Sequence, residues 1–334
     1  MMNHAEFGFL AVVAAAVMQG SFALPQKFIR GWPWEKNWLL YSIFGMIVFP
    51  WLLVALLVPQ AFQAYADAGA GVVAMAALFG AGWGIGSVLF GLGLEAVGVA
   101  LGFAIIMSMI AALGALVPLV VLHPADLMSH KGLLIIAGLL VAIVGVALCA
   151  RAGALKDATA PATARRNLTR GIAICIASGA ASPMMAFAVE FGNPIEKAAA
   201  AAGANAANAP MAIFAVAMSA GFLINAAYCV YLLRLNRTWN KGLPQDRALN
   251  LLYTVAMGFL WLFGFYLYGV GKTQIGQLGT SLGWPIFMTI MVVVANIWGL
   301  LTGEWKNADR RAFCYLGAGI AVIIAATVII ANAA

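Results

Sequence analysis

The chain has 334 residues, of which 64% are hydrophobic and only 9% are charged. A soluble domain carries about 25% charged residues, so this chain has too little polar surface to cover itself in water, and it is predicted to lie in a bilayer. The formal net charge of +7 comes from Lys and Arg residues clustered between long apolar runs. That pattern is typical of membrane topology and excludes a nucleic-acid-binding face.

Ten uncharged runs are long enough to be membrane spans, because about 20 mostly apolar residues cross the hydrocarbon core. Numbered in chain order, spans 1 to 10 are 7–26, 37–66, 68–94, 96–125, 132–150, 171–189, 198–233, 248–271, 273–303 and 312–334. The first run has no basic residue before it, so it is interpreted as a retained span and not as a signal peptide. The prolines inside spans predict kinks or broken helices; they are Pro50, Pro118, Pro183 and Pro285. We expect an all-α membrane protein with ten transmembrane helices.

The basic residues predict the orientation of these spans. Fifteen of the 18 Lys and Arg residues follow odd-numbered spans, and three follow even-numbered spans. The positive-inside rule then places both termini in the periplasm of a bacterial inner-membrane protein. Five spans lie on each side of a basic linker, so equivalent spans in the two halves have opposite orientations. We predict two inverted five-helix repeats, at 1–151 and 170–334, joined by a cytoplasmic linker at 152–169.

Glycines give further hints of packing. Gly20 and Pro25 near the end of span 1 resemble Gly179 and Pro183 in span 6. Span 3 holds two overlapping small-xxx-small patterns, which predict close helix approach without any nucleotide; they are formed by Gly80, Gly82, Gly84 and Gly86. Four cysteines each fall in an apolar run and are expected to be packing residues.

Several short motifs occur in one order along almost the whole chain. They are Pro25 with Lys27, Trp32-x-Trp34-Glu35, Phe79-Gly-Ala-Gly-Trp-Gly-Ile-Gly86, Met185-x-Phe187-Ala188, Ile224-Asn225, Gly258-x-x-Trp261, Trp284 and Glu304-Trp305-x-Asn307-Ala308-x-Arg310-Arg311. With these motifs the chain resembles the L-rhamnose–proton symporter family of the drug/metabolite transporter superfamily.

The resemblance implies ten helices with an inverted repeat (the drug/metabolite transporter fold) and proton-driven uptake of a 6-deoxyhexose by alternating access. It implies that spans 1, 3, 4, 6, 8 and 9 line a central cavity, while spans 5 and 10 pack outside it. The expected partners are a sugar, the proton and the lipid bilayer, with a homodimer forming through the outer helices. No cofactor or metal is expected.

Polar residues inside spans are candidates for function, because burying them in hydrocarbon is costly. Glu190, at the predicted outer end of span 6, is the candidate for proton coupling, because it is the carboxylate nearest to a span and could take up a proton from outside. Amides and hydroxyls pair with sugar hydroxyls without the cost of a buried charge. The predicted substrate-binding residues of this type are Gln19, Ser108, Gln277, Thr280 and Ser281.

Aromatic rings supply a face for the apolar side of a sugar. Trp83, Trp261 and Trp284 lie in the middle of spans and complete the predicted substrate site. Trp261, Phe265 and Tyr268 recur at i, i+4 and i+7 and are predicted to share one face of span 8. By contrast, Trp32, Trp34, Trp38 and Trp305 near span ends are interpreted as interfacial belt residues.

Two other functions stay open at this point. The same fold serves an exporter or exchanger of another small solute, and the scarcity of deep acids also permits sodium coupling or facilitated diffusion. A membrane-embedded transferase would need clustered Asp, Glu, His or metal ligands at one membrane face. The outer loops offer only scattered residues of these types, such as Asp67, His123 and Asp126.

Overall fold

The computed structural model describes residues 4–122, 127–158, 167–275, 283–306 and 308–332, and these residues are helical with no β-strand. The helices are α1 (His4–Ser21), α2 (Trp34–Ile43), α3 (Phe49–Leu57), α4 (Ala61–Ala68), α5 (Ala70–Val97), α6 (Val99–Leu122), α7 (His130–Ala158), α8 (Leu168–Ala181), α9 (Met184–Ala201), α10 (Met211–Leu235), α11 (Arg247–Ile275), α12 (Gly283–Leu301) and α13 (Arg310–Ala331). A π-helical segment, Phe44–Val48, connects α2 to α3.

Eight helical segments in the described part of the chain are long and apolar enough to cross a membrane, and they correspond to spans 1, 2, 3, 5, 6, 7, 8 and 10. At spans 4 and 9 the described apolar helices are shorter, Val99–Ile110 and Ile286–Leu301. The predicted class, a multi-pass α-helical membrane protein, is confirmed.

Of the four proline predictions, those at Pro183 and Pro50 are confirmed at the backbone level. Helix α6 continues through Pro118 to Leu122, and Pro285 lies in the first turn of α12. Pro183 falls between α8, which ends at Ala181, and α9, which begins at Met184. Pro50 is the second residue of α3, which begins at Phe49 directly after the π-helical segment Phe44–Val48. A proline inside a helix removes one backbone donor and clashes with the carbonyl four residues before it, which accounts for an irregular turn at each place.

The described helices form two compact units, and each contains segments from both halves of the sequence. Unit 1 comprises Met1–Ser21, Leu89–Pro183 and Leu267–Ala334. Unit 2 comprises Phe22–Val88 and Met184–Tyr266. Spans 1, 4, 5, 9 and 10 therefore contribute most of unit 1, whereas spans 2, 3, 7 and 8 contribute most of unit 2.

Close backbone contact holds the helices of unit 2 together. A Cβ atom added to Gly84 on α5 would lie 2.6 Å from the Cα atom of Gly221 on α10, and one added to Gly80 would overlap the backbone of Ala217. On α11, a Cβ atom at Gly258 would lie 2.8 Å from the backbone nitrogen of Gly45. The close packing predicted from the glycine pattern is therefore confirmed for α5.

Small residues and one helix cap organise unit 1. A Cβ atom at Gly20 on α1 would lie 2.6 Å from the carbonyl oxygen of Met291 on α12, and one at Gly179 on α8 would overlap Met109 on α6. The Glu304 carboxylate accepts hydrogen bonds from the backbone N–H groups of Val99 (3.0 Å) and Ala100 (3.2 Å). These are among the first N–H groups of α6, which lack partners inside the helix.

Three of the four cysteines agree with the packing prediction, since Cys149, Cys175 and Cys229 are buried. Cys314 is exposed on α13, so the prediction is wrong there. An apolar face turned to lipid suits a thiol as well as a protein core does, and composition alone does not separate the two environments.

Candidate functional site

A chain of aromatic rings runs through unit 2, and we call Trp34, Trp38, Tyr41, Trp261 and Trp83 the aromatic ladder. Trp34 stacks on Trp38 with ring centroids 5.5 Å apart, and Trp38 lies 4.8 Å from Tyr41. Tyr41 meets the edge of Trp261 at 6.3 Å, and Trp261 stacks on Trp83 at 5.8 Å. The described structure thus brings together two of the predicted sugar-binding residues, Trp83 and Trp261.

Helical spacing produces this ladder from three separate helices. Trp34, Trp38 and Tyr41 occupy positions i, i+4 and i+7 of α2, which lie on one face of a helix. Trp261 on α11 and Trp83 on α5 continue the chain of contacts. Trp261 also meets Phe265 at 5.7 Å, as the same-face prediction requires, while Tyr268 packs against Phe287 within unit 1 at 4.7 Å.

Trp83 is the half-buried member of its pair, whereas Trp261 is buried. A stacked pair of indoles with one ring partly accessible offers an apolar face that is held in place from behind. This arrangement can receive the C–H face of a small sugar, and it contains no titratable group.

A buried amide, Asn225, fixes the position of the ladder. Its Oδ1 atom accepts a hydrogen bond from the Trp38 indole N–H (2.9 Å) and one from the Ser87 hydroxyl (3.4 Å). Its Nδ2 group donates to the carbonyl oxygens of Gly221 (2.9 Å) and Gly84 (3.2 Å). In the sequence, Asn225 belongs to one of the family motifs but has no predicted role. The feature that could have indicated its role is that it is the one amide side chain in the apolar helix α10.

The interpretation of Trp38 and Trp305 as interfacial belt residues is wrong. Trp38 is 1% exposed and Trp305 is 2% exposed. Trp38 faces the interior of unit 2, and Lys156 lies over the Trp305 ring, 4.8 Å from its centroid. Proximity to a span end predicts depth in the membrane but not which side of the helix carries the residue.

Charged residues next to the ladder hold the start of α2 against the segment after α10. The Glu35 carboxylate accepts hydrogen bonds from Thr238 Oγ1 (2.7 Å) and Asn236 Nδ2 (3.1 Å). Lys36 Nζ donates to the carbonyl oxygens of Trp239 (3.3 Å) and Lys241 (3.1 Å). We call these contacts the α2 clamp. Glu35 is buried, and its partners are neutral donors.

The remaining predicted polar residues fall in several places. Gln19 is 1% exposed on α1. Ser108 is buried on α6, where its hydroxyl donates to the Ile105 carbonyl oxygen at 2.9 Å. Ser108 also borders a narrow crevice in unit 1 with Thr289 and Thr327. Both Gln19 and Ser108 belong to unit 1, and the Trp83–Trp261 pair belongs to unit 2.

Four of the predicted residues lie in or beside an undescribed part of the chain. Gln277, Thr280 and Ser281 are outside the described residues, and so is the side chain of Trp284, whose backbone lies in α12. Their predicted roles in substrate binding stay predictions.

Glu190 does not end a helix, which corrects the sequence interpretation. Helix α9 continues to Ala201, so Glu190 lies inside it and is exposed. The polar composition of this segment, with Glu190, Asn193, Glu196 and Lys197, is typical of a loop, although the backbone is helical. A helix that extends beyond the hydrocarbon core keeps its backbone hydrogen bonds, and charged side chains on that part are solvated by water. Charges therefore do not mark the end of such a helix.

No group of three or more His, Cys, Asp or Glu side chains in the described residues is placed to hold a metal ion.

A family model described as L-rhamnose-proton symport protein (RhaT) matches residues 1–334. The chain belongs to this family. It is 30% identical over 340 aligned residues to an L-rhamnose-proton symporter of Citrobacter koseri, covering 99% of this chain and 98% of the relative. Symporters of the same name from Salmonella paratyphi B and Salmonella newport are each 29% identical, with the same coverage. No solved structure matches the chain.

Proposed function

We propose that this RhaT-family protein imports L-rhamnose, or a related sugar, together with protons by alternating access. The observation that carries the proposal is the match to the family over the whole chain, with relatives that bear the name L-rhamnose-proton symporter. The family is one of symport proteins, which makes this chain a transporter and not an enzyme.

The aromatic ladder supports a sugar as cargo. A 6-deoxyhexose has an apolar methyl group and a C–H face, which pack on an indole, and hydroxyl groups, which need donors and acceptors. Trp83 on Trp261 supplies the aromatic face. We assign the hydroxyl contacts to Gln19, Ser108, Gln277, Thr280 and Ser281, with Trp284 as a second ring, and proton coupling to Glu190.

We further propose ten spans in two inverted repeats, at 1–151 and 170–334, with the linker 152–169 in the cytoplasm. Left-handed backbone positions support this, because in the described residues they fall at equivalent places in the two halves. The two non-glycine residues with positive φ are Gln60 (φ 50°), just after α3 of span 2, and Arg237 (φ 54°), just after α10 of span 7. Gly69 and Gly242, just before α5 of span 3 and before α11 of span 8, form a second such pair.

The glycine contacts give independent support for the repeat. Within unit 1, Gly20 of span 1 packs against span 9, while Gly179 of span 6 packs against span 4. Within unit 2, Gly84 of span 3 packs against span 7, while Gly258 of span 8 packs against the π-helical segment of span 2. In an inverted repeat, span n of the first half is equivalent to span n + 5 of the second half. The contact between spans 1 and 9 is then equivalent to that between spans 6 and 4, and the contact between spans 3 and 7 to that between spans 8 and 2.

The bacterial inner membrane, periplasmic termini and membership of the drug/metabolite transporter superfamily are parts of the same proposal. The distribution of basic residues supports the orientation. Exposed apolar side chains on α7, including Leu133, Leu140 and Val144, suit contact with lipid. Since α7 packs on α13 through Gly145 and Gly319, these outer helices are where we place a homodimer contact.

Uptake of labelled L-rhamnose into proteoliposomes, with and without an inward proton gradient, tests the proposed function. Accumulation that requires the gradient is the expected result. Uptake that stops when the internal and external L-rhamnose concentrations are equal would contradict proton coupling but support L-rhamnose as the cargo. Absence of uptake under both conditions would overturn the cargo, and a screen of other sugars and small solutes by thermal shift would then identify the replacement.

A further inference from the structure

Two polar groups at the start of α2 are buried without partners. Asn37 is 2% exposed, and its Oδ1 atom accepts no hydrogen bond from any described residue. The indole N–H of Trp34, three residues earlier, is also buried and unpaired in the described structure. A buried polar group left unpaired destabilises the fold, and native proteins retain such groups where a ligand or a water molecule completes them.

The two groups are chemically complementary to a hydroxyl. Residues at i and i+3 of a helix face the same side, with Cβ atoms about 5–6 Å apart. Trp34 Nε1 can only donate a hydrogen bond, and Asn37 Oδ1 can only accept one, whereas a hydroxyl does both. A carboxylate would be repelled by the amide oxygen, and a cation cannot accept from the indole. A neutral polyhydroxy compound fits both groups.

The neighbouring side chains leave this pair available. Glu35 and Lys36 lie between the two residues in sequence, but both are engaged in the α2 clamp. The Trp34 ring stacks on Trp38 with planes 14° apart, so the pair lies at the first ring of the aromatic ladder. The clamp and the stacked ring hold these two side chains in place before the ligand arrives. Binding therefore loses little side-chain conformational entropy.

We propose that Asn37 Oδ1 and Trp34 Nε1 form a second sugar-binding station, at the end of the ladder remote from Trp83. The basic residues that follow span 1 place this station at the cytoplasmic side, where it receives the sugar before release. The inference rests on the proposed sugar transport and adds to it a place on the exit path and the two groups that recognise a hydroxyl there.

Two substitutions and one control test the station in the full-length protein. Asn37→Leu removes the acceptor and Trp34→Phe removes the N–H group while retaining a ring to stack on Trp38. Ser42→Ala is the matched control, since Ser42 is equally buried on α2 but its hydroxyl donates to the Leu39 carbonyl oxygen at 2.9 Å. L-Rhamnose binding is measured by isothermal titration calorimetry in detergent, and counterflow uptake is measured in proteoliposomes.

Each of the two substitutions is expected to weaken binding about three- to tenfold, the usual effect of one lost hydrogen bond, and to raise the KM of counterflow. The melting temperature of the sugar-free Asn37→Leu variant should not fall, because the Asn37 amide oxygen has no hydrogen-bond partner among the described residues. Ser42→Ala should bind as the wild type does.

The outcomes separate the station from the proposed function. Wild-type binding that both variants retain overturns the station alone. A fall of several degrees in the melting temperature of sugar-free Asn37→Leu also overturns it, because the amide oxygen would then be satisfied inside the protein. If the wild type itself neither binds nor exchanges L-rhamnose, the proposed cargo fails and the station fails with it.

Discussion

At the scale of single residues, Asn225 is the buried polar side chain that joins three helices of unit 2. Its amide joins α10 to the Trp38 indole on α2 and to the Gly84 carbonyl on α5. Asn225→Ala leaves the Trp38 indole N–H buried without its acceptor. We expect the folded state to lose about 1–3 kcal/mol, seen as a lower melting temperature by tryptophan fluorescence in detergent.

Asn332→Ala is the matched control for that substitution. Asn332 makes the same type of bond, from Nδ2 to the carbonyl oxygen four residues earlier (2.8 Å to Val328), but on an exposed turn. Its loss should change stability by no more than about 0.5 kcal/mol. Equal effects of the two substitutions would contradict the role given to the Trp38 and Gly84 contacts.

Glu190 is the residue on which proton coupling is proposed to depend. Glu190→Gln retains the size and hydrogen-bonding ability of the side chain but cannot carry a proton. Gradient-driven accumulation should therefore be lost, while counterflow exchange, which needs no net proton movement, should continue. Both are measured with labelled L-rhamnose in the same proteoliposomes.

Asp67→Asn is the control for Glu190→Gln, since Asp67 is an exposed acid on the same predicted side and bonds to Gln63 at 2.8 Å. It should leave accumulation unchanged. Undiminished accumulation by Glu190→Gln would exclude this carboxylate as the coupling group and turn attention to Glu196, which is half-buried one turn and a half further along α9.

At the scale of secondary-structure elements, α5 offers one glycine that packs and one that does not. A Cβ atom at Gly84 would lie 2.6 Å from Gly221, whereas one at Gly71 would meet no atom within 4 Å. Gly84→Ala should lower stability by about 1–3 kcal/mol through overpacking. Gly71→Ala should raise it slightly, because Ala favours a helix by up to about 1 kcal/mol.

Thermal melting of the two variants in detergent measures this contrast directly. The same chemical change is made twice on one helix, so differences in helix propensity cancel and only the contact with α10 remains. A fall of similar size for both variants would mean that α5 tolerates no added methyl group anywhere and that the Gly84–Gly221 contact has no special weight.

The elements that could be predicted from the sequence are those with a strong local signal. The spans follow from apolar runs, the close approach of α5 follows from the spacing of Gly80 and Gly84, and the Trp261–Phe265 contact follows from the i, i+4 rule. The extension of α9 to Ala201 was missed, because a helix that passes into water has no apolar signal. The burial of Trp38 was missed because its partner, Asn225, is 187 residues away in the chain.

At the scale of the whole molecule, the inverted repeat and the positive-inside rule together predict on which side of the membrane each loop lies. Equivalent positions in the two halves must lie on opposite sides of the membrane, since five spans separate them. Gln60 and Arg237 form the best such pair, because both are exposed and both have a left-handed backbone. Each also follows the helix of the equivalent span in its repeat, α3 and α10. Gln60 is predicted to lie outside and Arg237 in the cytoplasm.

Single cysteines at these two positions test that statement in a background from which Cys149, Cys175, Cys229 and Cys314 have been replaced. A membrane-impermeant maleimide should label Gln60→Cys in spheroplasts and should label Arg237→Cys only after the membrane is permeabilised. Retained L-rhamnose uptake in each variant is the control for folding. Labelling of both cysteines from one side would reject the inverted repeat, because no arrangement with five spans between the two positions places them in the same compartment.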